Sequence, residues 1–275
     1  MREEATAFVP GHVTGFFSAH PDADPTKAGS RGGGLTLTDG VEVTVEPATE
    51  TAVVLDGDPI EIDPVRTVLE ELEVPARVEA ESELPLGAGF GVSGAMALGT
   101  AFAANQVFER RRSRNELVAI AHAAEVEAGT GLGDVVAQAQ GGIPIRLEPG
   151  GPAVNELDAV PARARVEYVA FGELSTADVL AGETAKLSRA GEEALSRLVE
   201  EPTLECLMDA SRRFAREAEL LTPTLEEAIE DVAGVGGQAS MAMLGETVFA
   251  LGTGLSDAGY EPSVCRTHPS GAVLK

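Results

Sequence analysis

Between Pro85 and Gly99 the chain reads PLGAGFGVSGAMALG: glycines at 87, 89, 91 and 94, then small and apolar residues that continue as a helix would. The string Gly89-x-Gly91-x-x-Gly94 matches the dinucleotide fingerprint letter for letter. That fingerprint, however, follows a buried strand and is answered about 20 residues later by an acid at the end of a second strand. Here charge and proline come first (ESELPLGA), and Glu109 leads into RRRSRNE instead of ending a strand. The dinucleotide reading is set aside. A Walker A loop requires Gly-Lys-Ser/Thr, and the stretch contains no lysine. Two readings stay open. One is a glycine turn that lets a small-residue helix pack closely. The other is a phosphate cradle, in which curled backbone N–H groups and the positive end of a helix starting near Val92 face an anion, with the Ser93 hydroxyl beside a phosphate-bound magnesium ion.

The elements that must hold this loop are legible on both sides of it. Ala5 to Val9 has strand character closed by Pro10-Gly11, and GLTLTDG and VEVTVEP alternate across Asp39-Gly40, a hairpin signal. A second hairpin is expected around Asp56-Gly57, then a short helix opened by Pro64, then the strand ARVEAES. Past the loop come a buried helix over 92–108 and a second helix, SRNELVAIAHAAEVEA, capped by Ser113 and Glu116. Glycines at 129, 131 and 133 interrupt the pattern just before Asp134. GGIPIRLEPGGP returns to extended chain and a turn-rich boundary, giving domains of 1–150 and 151–275. The second half reads as a strand (RVEYVAFG), helices near 182–199, 203–220 and 223–232, two strands around Gly245-Glu246, and a closing strand, PSVCRTH. Interleaved strands and helices without repeats make the class α/β or α+β.

Composition narrows the partners. The chain has 275 residues and a net charge of −25, from 45 acidic and 20 basic residues. Only Lys27, Lys186 and Lys275 are lysines. No basic footprint exists for nucleic acid or an anionic membrane. A self-repelling surface suits high ionic strength, where the Debye length falls to about 3 Å near 1 M salt, and points to a halophilic host. No apolar run approaches the roughly 20 residues of a membrane span, and MREEATAFVP is not a signal peptide, so a cytoplasmic protein is expected. Cys206 and Cys265 are read as partly buried small hydrophobes, and His12, His20, His122 and His268 are too scattered for a zinc site.

Three stretches taken together resemble the GHMP kinases, the family of galactokinase, homoserine kinase, mevalonate kinase and phosphomevalonate kinase. PLGAGFGVSGA is similar to the family's P-x-x-x-G-L-G-S-S-A-A, departing at Phe90, Val92 and Gly94. VPGHVTGFF resembles its A-P-G-K opening, with His12 in place of lysine, and HAAEVEAGTGLGDVVAQAQGGI resembles its glutamate–aspartate segment. The resemblance implies an α+β, two-domain fold: an N-terminal ribosomal-protein-like α/β domain and a C-terminal ferredoxin-like domain, with ATP between them. It places the triphosphate on Pro85, Gly87, Ala88, Gly89, Gly91, Val92, Ser93 and Gly94, and Mg2+ on Ser93 and either Glu125 or Glu127, with Glu125 preferred. Asp134 falls on the catalytic base, with an N-cap as its alternative use, and His12 would bind the acceptor or position Asp134. GVGGQASMAMLG loosely echoes a third motif around Gly236, Gly237 and Ser240. The wording of PGHVTGFF, AGSRGGGL, TGLGDVVAQ and ASMAMLG is closest to the archaeal branch that phosphorylates the 4-hydroxyl of (R)-pantoate on the route to coenzyme A. That acceptor carries a carboxylate, for which Arg31 is the expected clamp, beside Ser30. Mevalonate, homoserine and shikimate are the alternative acceptors, and a non-catalytic nucleotide-binding regulator is the alternative class. Family members are often dimers, so a homodimer is expected.

Overall fold

Period-two alternation along the N-terminal segment produces two long antiparallel strands, β1 (Ala5–His20) and β2 (Gly29–Pro47). The computed structural model describes residues 2–172 and 184–275. Pro10-Gly11 and Asp39-Gly40 do not end strands, contrary to the sequence expectation. Pro10 pairs with Gly40, and the register shifts between Pro10 and His12, so the two signals lie opposite each other and bend both strands together. The Asp56-Gly57 hairpin does form, between β3 (Ala52–Leu55) and β4 (Asp58–Pro59), with both turn residues at positive φ.

β5 (Ala76–Ser82) lies between β2 and β3, and with the C-terminal β12 (Val273–Leu274) the first sheet runs β12-β1-β2-β5-β3-β4, extended from β2 by β6 (Pro144–Glu148) and β7 (Glu156–Ala159). Helices α1 (Asp63–Glu71), α2 (Val92–Val107), α3 (Arg114–Ala128) and α4 (Asp134–Gln140) belong to this half. α2 is buried on nearly every side, from Val92 through Val107, which explains its lack of an apolar stripe. Fully buried side chains such as Met96 and Leu98 each contribute about 1.5–3 kcal/mol. The expected Ser113–Glu116 capping box starts α3; such a cap is worth about 1 kcal/mol.

The second sheet is β11-β8-β10-β9, all antiparallel, from β8 (Arg165–Gly172), β9 (Gln238–Ala242), β10 (Glu246–Leu251) and β11 (Ser263–Arg266). Its helices are α5 (Thr184–Glu200), α6 (Leu204–Glu217), α7 (Pro223–Gly234) and the short α8 (Gly254–Asp257). PSVCRTH is not the last strand: β12 (Val273–Leu274) carries the chain back to pair with Ala7 and Phe8 of β1. The boundary placed at 150/151 falls in the turn of the β6–β7 hairpin, whose strands both belong to the first sheet, so the two sheets part after Ala159. β7, α8 and β12 are too short to show a period in sequence. Among the described residues no helix is long and apolar enough to cross a membrane.

Candidate active site

The loop between β5 and α2 closes on Gly91, whose φ of 65° and ψ of 32° place the helix N-cap in the left-handed region that glycine enters without penalty. No side chain caps α2, and its first turn holds no acid. The opening N–H groups of this 16-residue helix are therefore left for a ligand, at its positive end. The loop carbonyls, by contrast, are engaged by protein. Thr247 Oγ1 donates to Ala88 O at 2.8 Å, the His12 N–H to Phe90 O at 2.9 Å, and Gln138 Nε2 to Gly91 O at 2.9 Å. The Phe90 ring packs on Tyr168 of the second sheet, centroids 4.8 Å apart, and the Tyr168 hydroxyl donates to Asp39. Gly87, Gly89, Gly91, Val92 and Ser93 line a cavity; Pro85, Ala88 and Gly94 do not.

Two carboxyl groups meet at that cavity. Ser93 Oγ donates a short hydrogen bond to Glu125 Oε1, one turn before α3 ends. Glu125 is buried and Glu127 is exposed, so only the former reaches the loop. Gly131 makes the juxtaposition possible. A β-carbon there would stand 2.5 Å from Glu125 Oε2 and 3.6 Å from Asp134 Oδ2, so any side chain would push into the acids. Burial, offset in part by the Ser93 hydrogen bond and reinforced by the charge of Asp134, pushes the Glu125 carboxyl up to about 7.

Asp134 opens α4 and receives His12 from β1, with Nδ1 2.7 Å from Oδ1. The ring is fully buried, and burial lowers its pKa despite the neighbouring carboxylate, so His12 is neutral at pH 7. A carboxylate only accepts; the ring hydrogen therefore sits on Nδ1 and points at Asp134. For Asp134 burial acts upward, but the hydrogen bond from His12 and the positive charge of Arg146 outweigh it and hold the carboxyl below its ordinary value. The alternative N-cap role is absent: α4 is capped by Gly133 with no side-chain hydrogen bond.

The same cavity is lined by Arg146 of β6, 1% exposed. Its Nε and Nη1 have no partner among the described residues. Burial pushes its pKa down to about 10 against the attraction of Asp134, still far above neutrality, so the group is a fixed cation. Ser30 Oγ and Arg146 Nε converge, lying 2.5 and 2.7 Å from the point where a β-carbon on Gly133 would stand. The cavity thus joins an uncapped helix end, a hydroxyl–carboxyl pair, a histidine-oriented aspartate and an unpaired guanidinium.

Residues 63–142 match the family model described as the GHMP kinases N terminal domain. The pantoate kinase of Thermococcus kodakarensis is 37% identical over 262 residues, covering 89% of this chain and 86% of that protein. The chain belongs to the GHMP kinase family. The pantoate kinase of Methanocaldococcus jannaschii is 33% identical over 89% of this chain and 91% of its own length. A solved structure described as a phosphotransferase related to the CoA biosynthesis pathway superposes with a TM-score of 0.88 at 31% identity, covering 99% of this chain and 98% of that one. Mevalonate diphosphate decarboxylase from Enterococcus faecalis shares the fold, with a TM-score of 0.73 at 15% identity. The protein is accordingly a kinase of the GHMP class, acting on a hydroxyl group.

Within this GHMP kinase, the expected acceptor clamp stands elsewhere. Arg31 does not line the cavity. Its Nη1 donates to Glu192 Oε2 and its Nε to Leu147 O, both at 2.6 Å, and Glu192 also accepts from Ser18. Ser18 pairs with Arg31 across β1 and β2, so both side chains emerge on the face that meets α5. Arg31 therefore ties β2 to α5 and does not reach the cavity, where the cation among the described lining residues is Arg146. Ser30, on the neighbouring position and the other face, does line it. Gly236, Gly237 and Ser240 lie away from the cavity, and the second half contributes Met243 and Leu244 instead.

Proposed function

We propose that this GHMP kinase transfers the γ-phosphoryl group of ATP to the 4-hydroxyl of (R)-pantoate. The observation that carries the reading is Arg146: a buried guanidinium whose Nε and Nη1 have no hydrogen-bond partner among the described residues, lining the same cavity as the glycine loop and Asp134. Such a group calls for a planar anion on the acceptor, which a carboxylate supplies through two parallel hydrogen bonds. The choice among carboxylate-bearing alcohols rests on the two pantoate kinases above, which match nearly the full chain.

In this reading the N–H groups of the Gly87–Ser93 turn and the start of α2 cradle the triphosphate. Arg146 and Ser30 hold the acceptor carboxylate, so that its hydroxyl lies in line with the γ-phosphorus and against Asp134. The hydroxyl oxygen forms a bond to phosphorus, the bond to the bridging β–γ oxygen breaks, and the hydroxyl proton passes to Asp134 as ADP leaves. His12 keeps one Asp134 oxygen occupied, leaving the other for the acceptor. Ser93 and Glu125 are hard oxygen donors side by side, which suits Mg2+. No group of three histidine, cysteine or acidic side chains suited to a metal occurs among the described residues, so the remaining ligands would be phosphate oxygens and water. Bound there, Mg2+ would neutralise charge on the β- and γ-phosphates.

ADP release measured with pantoate, mevalonate, homoserine and shikimate tests the acceptor; we expect turnover with pantoate, and preference for another acid would overturn the assignment. Arg146→Ala should raise KM for pantoate by about 10- to 100-fold, the loss of a charge-assisted pair, with KM for ATP within about threefold. An unchanged pantoate KM would remove Arg146 from the acceptor site.

A further inference from the structure

The phosphate loop and the catalytic aspartate meet through one further side chain. Asp134 and Gln138 stand one turn apart on α4 and share a face. Gln138 is fully buried, and its Nε2 donates to the carbonyl of Gly91, the left-handed residue on which the loop turns into α2. A β-carbon on Gly91 would lie 3.0 Å from Gln138 Nε2 and 3.1 Å from Asp134 Cβ; one on Gly94 would lie 3.3 Å from Gln138 Oε1. The two helix starts therefore touch backbone to side chain, and the Gln138 amide is the polar link across the contact. Its Oε1 has no partner among the described residues. The one hydrogen bond of this buried amide among the described residues is thus the one it donates to Gly91.

We infer that Gln138 is a positioning residue for phosphoryl transfer, fixing the Gly91 turn, and with it the triphosphate, at a set distance from Asp134. This rests on the kinase reading above. It assigns Gln138 no contact with substrate. The glycine spacing that lets the helices approach would be wasted if the turn could rotate away, since misplacement by about 1 Å costs on the order of 100-fold in rate.

The test compares kcat, both KM values and ADP affinity for wild type, Gln138→Leu and Gln138→Glu, with folding followed by circular dichroism. Gln138→Leu loses the donor and keeps the volume; kcat should fall by more than about tenfold, with KM for pantoate unchanged and ADP bound about fivefold more weakly. Gln138→Glu can donate to Gly91 O only when protonated, so its kcat relative to wild type should recover as pH is lowered from 8.5 to 6. A purely structural residue would lower the melting temperature and show no such recovery. Wild-type kcat and ADP affinity in the leucine variant, or a pH-independent activity ratio in a folded glutamate variant, would overturn the inference. An inactive wild type would instead count against the kinase reading, and ADP affinity would still decide the role of Gln138.

Discussion

Replacing Asp134 by asparagine lowers turnover with ATP and pantoate by about two to four orders of magnitude, the usual worth of a positioned proton acceptor. ADP affinity stays within about threefold. The substitution is chosen for what it preserves. Asparagine Oδ1 accepts from His12 Nδ1 as the carboxylate does, so the buried ring keeps its one strong partner. What disappears is the oxygen able to take the acceptor proton. Because His12 and Arg146 hold Asp134 below the ordinary carboxylate range, the wild-type group is ionised throughout the neutral region. Activity should show no acidic limb from Asp134 within or above the ordinary carboxylate range. A carboxylate so stabilised is a weak base, which fits a loose transition state where the hydroxyl proton moves late. Single-turnover kinetics with isothermal titration of ADP separates the chemical step from binding. Near-normal turnover in the variant would end the base assignment.

The stability side of the same substitution has a definite sign. A depressed native pKa means that ionised Asp134 stabilises the folded state above its unfolded pKa, and this contribution is lost as pH falls through the native value. Asp134→Asn should therefore lose stability relative to wild type at neutral pH and converge with it in acid. His12→Leu, which removes the donor, should move the Asp134 carboxyl back toward its ordinary range and shift that convergence upward.

Local signals were the legible ones. Glycines at 87, 89, 91 and 94 mark a turn because backbone conformation is set within a few residues, and α2 begins at Val92 as read. The capping box at Ser113 and Glu116 and the Asp56-Gly57 hairpin are equally local. Pro10-Gly11 and Asp39-Gly40 misled because a break signal read alone says nothing of what lies opposite; paired, they bend two strands and end neither. The choice between Glu125 and Glu127 was open for a related reason. Two positions apart on a helix point to different faces, and only the packed neighbours decide which face is inside.

The two arginines show where a sequence reading runs out. Arg31 sits in a glycine-rich string that suggests a binding loop, yet the strand register sends it toward Glu192. Arg146 sits in IPIRLE, a strand that reads as ordinary. One signal was present: a single cation inside the run Ile143, Pro144, Ile145 and Leu147, where a buried strand would hold only apolar residues. An arginine in such a run must find an anion; Asp134 attracts it, yet its Nε and Nη1 have no hydrogen-bond partner among the described residues. In a protein of net charge −25, a buried guanidinium left unpaired in that way marks a ligand site more clearly than any motif letter.

Glu125→Gln should disable the enzyme and stabilise it. Activity falls by about 100-fold or more, because the carboxylate beside Ser93 is lost while the neutral amide still accepts the serine hydrogen bond. Stability moves the other way. The Glu125 carboxyl is raised from its ordinary 4.5 to about 7 in the folded chain, chiefly by burial. Protonation thus favours the native state fully below about pH 4.5, and that contribution drains away as pH rises to 7. At about 1.4 kcal/mol per pH unit, the interval corresponds to a penalty on the order of 3 kcal/mol at pH 8. Glutamine carries no charge at any pH and escapes it. Urea unfolding should therefore find the variant more stable than wild type at pH 8, with the gap shrinking steadily toward pH 4.5. A gap that is flat with pH would mean that Glu125 is not buried beside Asp134 as described. An active, stabilised variant would mean that the carboxylate has no part in the reaction. The combination of lost turnover and gained stability arises only where a charge is kept in an unfavourable place for the sake of what it binds.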